Sequence, residues 1–259
     1  MNQNFKYGID KLTIEKVIAI ASGKTKGILN DEAIKKIKTS QHHVQQIIKN
    51  NKTVYGVNTG FGILANTKIS EEDTQTLQHK ILQSHSVGVG DPIPVETAKL
   101  MLITKVHALA QGYSGVQLQT LERIIWHIDN DVIPVVPEKG SVGASGDLAP
   151  LAHLFLPLIG LGECFYKGEK RDTGFVMRDT GLKSIQLGPK EGLALINGTQ
   201  FILAFAIKAV QRMHNCLEAA DIIGAMSLEA LTGTKAPFDE RLHNLRPFNG
   251  NKLVAQRLR

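Results

Sequence analysis

Residues 140–150 bring three glycines, two serines and an aspartate together in the stretch GSVGASGDLAP, just before the apolar run LAHLFLPLIGLG. On local pattern alone, this stretch is a turn in which Ser145 or Asp147 caps a helix that begins at Leu148. Pro150 is tolerated there because the first turn of a helix does not need its backbone N–H. This interpretation gives the serines and glycines a purely structural role.

The same residue types also permit a reaction of the chain with itself. If the backbone nitrogen of Gly146 attacked the carbonyl carbon of Ala144, a five-membered ring would close. Loss of one water from the ring and one with the Ser145 hydroxyl would leave an exocyclic methylene, an electrophile that no ordinary side chain supplies. Glycine permits the close approach and unusual dihedrals, and Gly140 and Gly143 let the flanking backbone fold tightly. The N-terminus of the following helix could stabilise the developing oxyanion.

Two other motif-like stretches lack a required residue. Ser22-Gly-Lys-Thr25 resembles the end of a phosphate-binding loop, but Ile18 stands where that loop needs a glycine. The GASGD segment resembles a serine-hydrolase elbow, but Asp147 stands where the second glycine of GxSxG belongs. Because no HExxH or EF-hand spacing occurs either, we expect no metal site.

The net charge of +6 raises the question of a nucleic-acid partner. Lysines such as Lys35, Lys36 and Lys38 alternate with apolar residues at helical spacing, and aromatic residues make up only 5% of the chain. This pattern favours a solvated basic face over a nucleic-acid groove. We therefore expect no nucleic-acid partner.

The composition, with 42% hydrophobic and 21% charged residues, is typical of an ordinary globular protein. The N-terminus shows no apolar core followed by a cleavage site, and no uninterrupted apolar run approaches the roughly 18 residues of a membrane span. Cys164 and Cys216 have no CxxC spacing and no histidine-rich neighbourhood, so we expect buried free thiols. These features predict a cytoplasmic protein without a membrane partner.

Helical periodicity dominates the elements that must position the reactive stretch. Helices are predicted at 14–21, at 32–48 with Asn30 or Asp31 as cap, from the capping-box-like Ser70-Glu-Glu-Asp73 towards Gly88, at 95–111, 116–128 and 148–159, from Thr199 for about seven turns, and at 252–259. Strands are predicted only at 53–57 and in a hairpin over 165–171 that turns at 167–169.

The stretch GSVGASGDLAPLAH resembles the signature of the aromatic amino acid ammonia-lyases, whose Ala-Ser-Gly forms methylidene-imidazolone, abbreviated MIO. Three further landmarks of that family occur in the expected order: YGVNTGFG at 55–62, SHSVGVG at 84–90 and KEGLALINGT at 190–199. The four motifs are together highly specific, and the similarity runs across nearly the whole chain. It identifies the chain as a member of this family.

The resemblance implies catalytic roles for five residues. Ala144, Ser145 and Gly146 correspond to the precursor of MIO, so the cofactor is derived from the protein and no external cofactor is expected. Tyr55 matches the lid-loop tyrosine that serves as acid or base. Asn197 matches the asparagine near MIO and the substrate's amino or carboxylate group, although it could also cap the long helix.

The resemblance also implies contacts with the substrate. His85 matches the position where histidine-specific members carry Ser-His and tyrosine-specific members carry His-Leu; it could hydrogen-bond an imidazole or cap a helix end. Gly62 is expected to line the pocket by being small. Asp147 is expected to hydrogen-bond the backbone during ring formation, whereas His153 and the pair at 42–43 are expected to be packing or surface residues.

The implied activity is the non-oxidative deamination of L-histidine to trans-urocanate and ammonia. Two alternatives within the enzyme class stay open: a phenylalanine or tyrosine ammonia-lyase, and an MIO-dependent aminomutase. From another class comes a non-catalytic helical module or assembly subunit. Product analysis separates the first three, and the sequence past Arg259 bears on the last.

The implied fold is mainly α, similar to the ammonia-lyases and fumarases. Residues 1–196 would form an MIO-containing domain with short strands, and 197–259 the beginning of a central bundle of long helices that associates as a homotetramer. Family members are about twice this length, so the chain resembles an N-terminal fragment. The remaining half would contribute a tyrosine, an arginine and a glutamate to the active site, and the fragment alone is expected to be incomplete.

Overall fold

The computed structural model of the chain describes residues 4–50, 53–54, 56–59, 71–246 and 248–259, with the backbone alone for 71–75. These residues are mainly helical, as predicted. The chain divides into two compact units, Met1–Phe205 and Ala206–Arg259. The functional division expected between residues 196 and 197 stays a prediction.

The helices confirm most of the predicted ones and add short ones. Their bounds are α1 Ile14–Ala21, α2 Asp31–Lys49, α3 Glu71–His85, α4 Val95–Leu109, α5 Leu118–Asp129, α6 Leu148–Phe155, α7 Thr173–Thr180, α8 Glu191–Ile196, α9 Gln200–Ala230, α10 Glu240–Asn244 and α11 Asn249–Leu258. Two 3-10 turns lie at Leu156–Ile159 and Ala236–Phe238. The Asn30 side chain caps α2 by accepting from Ala33 N at 3.0 Å, which was one of the two expected caps.

Short strands connect these helices. Their bounds are β1 Phe5–Lys6, β2 Gly27–Ile28, β3 Val89–Pro92, β4 Ile133–Pro134, β5 Pro137–Lys139, β6 Glu163–Tyr166 and β7 Glu169–Asp172. β1 pairs with β2 in parallel, β3 pairs with β5 antiparallel, and β4, β6 and β7 form an antiparallel three-stranded sheet. The β6–β7 hairpin confirms the predicted one, and it turns at Lys167-Gly168, where both residues have positive φ.

The strand predicted at 53–57 is wrong for the residues described there. Val57 N and Asn58 N both donate to Val54 O, at 3.1 and 3.3 Å, and these are the hydrogen bonds of a turn and not of a strand. The Asn58 side-chain oxygen accepts from Val54 N at 2.9 Å and fixes that turn. The local hydrogen bonds of an asparagine therefore override the strand preference of the threonine and valines.

The core of the first unit lies around α4, which is buried on nearly every side. Nearby, α3, α6 and α8 pack against one another in pairs. The approach of α3 to α8 requires glycine at 192, because a Cβ there would lie 2.6 Å from Gln78 O and 2.5 Å from the Ile81 side chain. This packing brings the end of α3 and the end of α8 close to the start of α6.

The long helix α9 begins in the first unit and continues into the second. By length and composition alone, the helical stretch Glu191–Ala230 could cross a membrane, with a mean hydropathy of 1.7 over its most apolar window. This stretch contains no uninterrupted apolar run of that length, because polar residues occur within a segment whose mean hydropathy is high. The same composition is typical of long core helices in helical bundles.

The two cysteines differ in their surroundings. Cys164 is buried beside Val132 and Val176, and burial raises the pKa of its thiol to about 12. Cys216, which was expected to be buried as well, is exposed on α9. The neighbouring apolar residues of α9, such as Met213 and Leu217, are exposed as well among the described residues.

Candidate active site

Three of the sequence motifs meet in the first unit. Strand β3 follows the SHSVG segment and β5 precedes the GASGD segment, and their pairing sets Val89 opposite Lys139. His153 on α6 strengthens this connection, since its Nε2 accepts a hydrogen bond of 3.0 Å from Gly88 N. A backbone N–H can only donate, so this nitrogen of the His153 ring carries a lone pair.

His153 is therefore more than the packing or surface residue that the sequence suggested. The ring is half-buried, and burial lowers its pKa, which favours the neutral form that can accept from Gly88 N. It joins the helix that follows the Ala-Ser-Gly tripeptide to the loop that follows His85. The structure thus brings the second motif against the third.

The tripeptide Ala144-Ser145-Gly146 lies in a tight loop at the start of α6. Isolated bridges pair Gly143 with Gly146 and Ala144 with Gly146, so the backbone turns back on itself within four residues. The glycines at 140, 143 and 146 all have positive φ. Ala144 and Ser145 are exposed, whereas Gly146 is half-buried. Ring closure between the Gly146 nitrogen and the Ala144 carbonyl would need a tight turn of this kind.

Gly146 rests directly on the last motif. A Cβ at position 146 would lie 2.5 Å from the backbone oxygen of Gly198, and its φ of +101° disfavours any other residue. The next residue holds the same oxygen, because Asp147 N donates to Gly198 O at 2.7 Å. The position of the tripeptide is thus set by the backbone that follows Asn197.

We expect Gly146→Ala to lower the free energy of unfolding by about 2–4 kcal/mol, from backbone strain and the displaced Asp147–Gly198 hydrogen bond. Chemical denaturation measures the change. Gly143→Ala is the matched control, because its φ is +67° but its Cβ would meet no atom within 4 Å. Equal losses in the two variants would mean that contact with Gly198 does not matter.

Asp147 has a different role from the helix cap that the pattern suggested. It occupies the N-cap position of α6, but its side chain makes no capping bond to that helix. The fully buried carboxylate instead accepts from Ser141 Oγ at 3.0 Å and from Ile202 N, in the first turn of α9, at 3.1 Å. Asp147, rather than Asn197, therefore caps the long helix.

Asn197 follows the last residue of α8, and its N–H closes that helix by donating to Leu193 O at 2.9 Å. Its side chain is exposed. Its backbone oxygen accepts from the ammonium of Lys105 at 2.8 Å. Lys105 lies in the middle of α4 with 2% of its surface exposed, and burial lowers its pKa to about 7.

The other end of α8 is fixed by Glu191, which is 1% exposed. One carboxylate oxygen accepts from Gln117 N at 2.7 Å and Thr120 Oγ1 at 2.8 Å. The other accepts from Gln117 Nε2 and Gly188 N, both at 2.6 Å. Four donors from three residues thus hold the first residue of the helix that leads to Asn197.

His85 is the last residue of α3. Its Nδ1 lies 2.9 Å from Ile81 O and 3.1 Å from Ser84 Oγ. A carbonyl oxygen can only accept, so Nδ1 carries a proton, and in the neutral ring Nε2 keeps its lone pair. The helix-end contact and the substrate contact expected for His85 are therefore compatible, because they use different ring nitrogens.

Two predicted site residues, Tyr55 and Gly62, lie outside the described residues. Among the residues that are described, no group of three or more histidine, cysteine, aspartate or glutamate side chains is arranged to hold a metal ion. Lys105 and Glu191 were not found by the sequence analysis. A single charge within the apolar stretch LMLITKVHAL was the available signal for Lys105.

The fold is that of amino acid lyases and aminomutases. The histidine ammonia-lyase of Trypanosoma cruzi superimposes with a TM-score of 0.90 at 38% identity, over 98% of this chain and 50% of that one. The tyrosine aminomutase of Streptomyces globisporus gives 0.92 at 31% identity, over 99% and 48%.

A sequence model of the family described as aromatic amino acid lyase matches residues 12–259, and the chain belongs to this family. It is also similar to the histidine ammonia-lyase of Caldanaerobacter subterraneus, with 44% identity over 250 residues. That match covers 96% of this chain and 49% of the relative. The chain therefore spans about half the length of these relatives.

Proposed function

We propose that this chain carries the reactive tripeptide of an enzyme that deaminates L-histidine to trans-urocanate and ammonia. The single observation behind the proposal is the position of Ala144-Ser145-Gly146, in a loop that folds back on itself and packs against Gly198 O. The 42–44% identity to histidine ammonia-lyases supports the choice of substrate.

The residues present fit a cofactor made from the tripeptide. Gly146 brings no Cβ into the narrow space against Gly198, and Ser145 is exposed, so its hydroxyl has room to leave. In the proposed closure the Gly146 nitrogen bonds to the Ala144 carbonyl carbon, and two waters depart. The chemistry that MIO supplies is electrophilic assistance to the breaking of the Cα–N bond of the substrate.

The remaining chemistry falls to side chains of the chain. In the proposal, Tyr55 takes the weakly acidic β-proton or returns a proton, and Asn197 binds the amino or carboxylate group of the substrate. The lone pair on His85 Nε2 accepts the N–H of the substrate imidazole.

Product analysis tests the reaction. Full-length protein incubated separately with L-histidine, L-phenylalanine and L-tyrosine is expected to release ammonia and trans-urocanate from histidine alone. Release of an arylacrylate from one of the other two would favour the phenylalanine or tyrosine lyase. A β-amino acid would favour the aminomutase, an activity that the 31% identity to a tyrosine aminomutase keeps as the second candidate.

We expect His85→Phe to raise the KM for L-histidine about tenfold, because the substrate N–H loses its acceptor at a cost of about 1.4 kcal/mol. His85→Gln keeps a carbonyl oxygen and should lose less. His42→Phe, on the exposed face of α2, is the control for adding a ring. An unchanged KM in His85→Phe would exclude His85 from the binding of the imidazole.

A homotetramer and a cytoplasmic location stay proposals that rest on the sequence. The non-catalytic alternative is tested by the gene: a reading frame that continues past Arg259 into the second half of the family removes it. A protein that ends at Arg259 and lacks activity would support that alternative.

A further inference from the structure

We propose that Lys105 is a positioning residue of the lyase site: by binding the backbone oxygen of Asn197, it fixes the peptide that carries Asn197 and supports the tripeptide. The inference rests on the proposed function. It concerns a residue outside the four motifs, on helix α4, which carries none of the site residues predicted from the sequence.

The location of Lys105 is costly. It lies on α4 among side chains such as Leu102, Ile103 and Val106, which are at most 1% exposed. None of the ion pairs between described residues involves Lys105. Its ammonium donates to a neutral carbonyl instead, which offsets only part of the free energy of removing a charge from water. A lysine in such a place is not explained by stability.

The acceptor of Lys105 lies at a decisive point of the site. Asn197 O follows the last turn of α8, where a helix has backbone oxygens without intrahelical partners. The next backbone oxygen, Gly198 O, accepts from Asp147 N at 2.7 Å and touches Gly146. Two consecutive oxygens are therefore held, one by Lys105 from α4 and one by the residue after the tripeptide.

The bond from Lys105 to Asn197 O orients the peptide between Asn197 and Gly198, and the bond from Asp147 N to Gly198 O orients the next peptide. Without the bond to Lys105, the Asn197–Gly198 peptide can rotate, and such a rotation moves both the exposed Asn197 side chain and the surface under Gly146. A displacement of about 1 Å in a positioning group can reduce a rate by about 100-fold. The expected loss is therefore in kcat more than in KM.

Lys105→Met separates positioning from stability. Methionine fills a similar volume and removes the buried ammonium, leaving only a neutral oxygen unpaired. The unfolded chain holds the lysine proton up to its ordinary pKa, whereas the folded chain loses it near pH 7, so stability rises with pH between these two values. Below pH 7 the buried lysine is charged in the folded state, and the full cost of burying this charge lowers the free energy of unfolding. In that pH range Lys105→Met is expected to be at least as stable as the wild type.

The test compares wild type, Lys105→Met and Lys105→Arg in the full-length protein. We expect Lys105→Met to lower kcat at least about tenfold while its unfolding temperature stays unchanged or rises. Lys105→Arg, which keeps a cationic donor, is expected to retain most of the wild-type kcat. Lys99→Met is the matched control, since Lys99 is also buried on α4 but pairs with the exposed Asp131. A kcat within twofold of wild type in Lys105→Met would overturn the proposal, as would parallel losses of stability and activity.

A second measurement does not depend on activity. Hydrogen exchange of the Asp147 amide, which donates to Gly198 O, is expected to be about fivefold or more faster in Lys105→Met and near wild type in Lys105→Arg and Lys99→Met. Unchanged exchange in Lys105→Met would overturn the role of Lys105. Wild-type protein inactive on every amino acid would contradict the proposed function instead, and the exchange rates would still decide whether Lys105 holds this peptide.

Discussion

Ser145→Ala is expected to abolish the lyase activity of the full-length protein, with kcat at least about 10³-fold lower. The substitution removes the hydroxyl whose departure would create the exocyclic methylene, so no electrophile forms. Because Ser145 is exposed, the substitution should change the free energy of unfolding of the protein by no more than about 0.5 kcal/mol. Activity and stability are thus separated in this variant.

Mass spectrometry gives the direct measurement. A wild-type peptide that contains residues 144–146 is expected to be lighter than its sequence mass by two waters. The Ser145→Ala peptide has no side-chain hydroxyl to eliminate, so it is expected to lack this two-water loss. Ser22→Ala, at the exposed end of α1, is the control and should keep both the mass loss and the activity. An active wild-type enzyme with an unmodified tripeptide would contradict the proposed function.

Glu191→Gln is expected to lower the free energy of unfolding by roughly 3 kcal/mol. The glutamine amide retains one oxygen for two of the four donors but presents an NH₂ group to the other two, so buried donors face one another. Because α8 leads from this residue to Asn197, the activity of the full-length protein should fall as well. Chemical denaturation and initial rates measure the two effects.

Glu122→Gln is the matched control for Glu191→Gln. Glu122 lies on α5, the helix that supplies Thr120 as a donor to Glu191, but its own side chain is exposed. Its substitution should change the free energy of unfolding by no more than about 0.5 kcal/mol. A similar small change in Glu191→Gln would show that the four short hydrogen bonds contribute little.

The sequence predicted the elements that are decided by local pattern. Helix α1 and the N-cap of α2 follow from apolar spacing and the Asn30 side chain, both of which are visible within a few residues. The strand expected at 53–57 failed for a local reason too, since the Asn58 side chain binds Val54 N. Side-chain competition with the backbone is difficult to read from periodicity alone.

The site was predictable in its residues and not in its geometry. The tripeptide and the motifs around it were recognisable in the sequence, but the hydrogen-bond partners of Asp147 depend on contacts between distant parts of the chain. Its bond to Ile202 joins residues 55 apart, and that of Lys105 to Asn197 joins residues 92 apart. No local pattern indicates which carbonyl a buried lysine meets or which helix a carboxylate caps.

The support of Gly146 by Gly198 has a consequence for how samples of this protein can be judged. Residues so distant in the sequence come together only when the first unit has reached its native arrangement. A heterocycle that closes only there would outlast the arrangement that made it, because hydrolysis does not follow from mere denaturation. The fraction of peptide with the reduced mass would then report how many molecules had once folded and formed the ring, including those that had since unfolded.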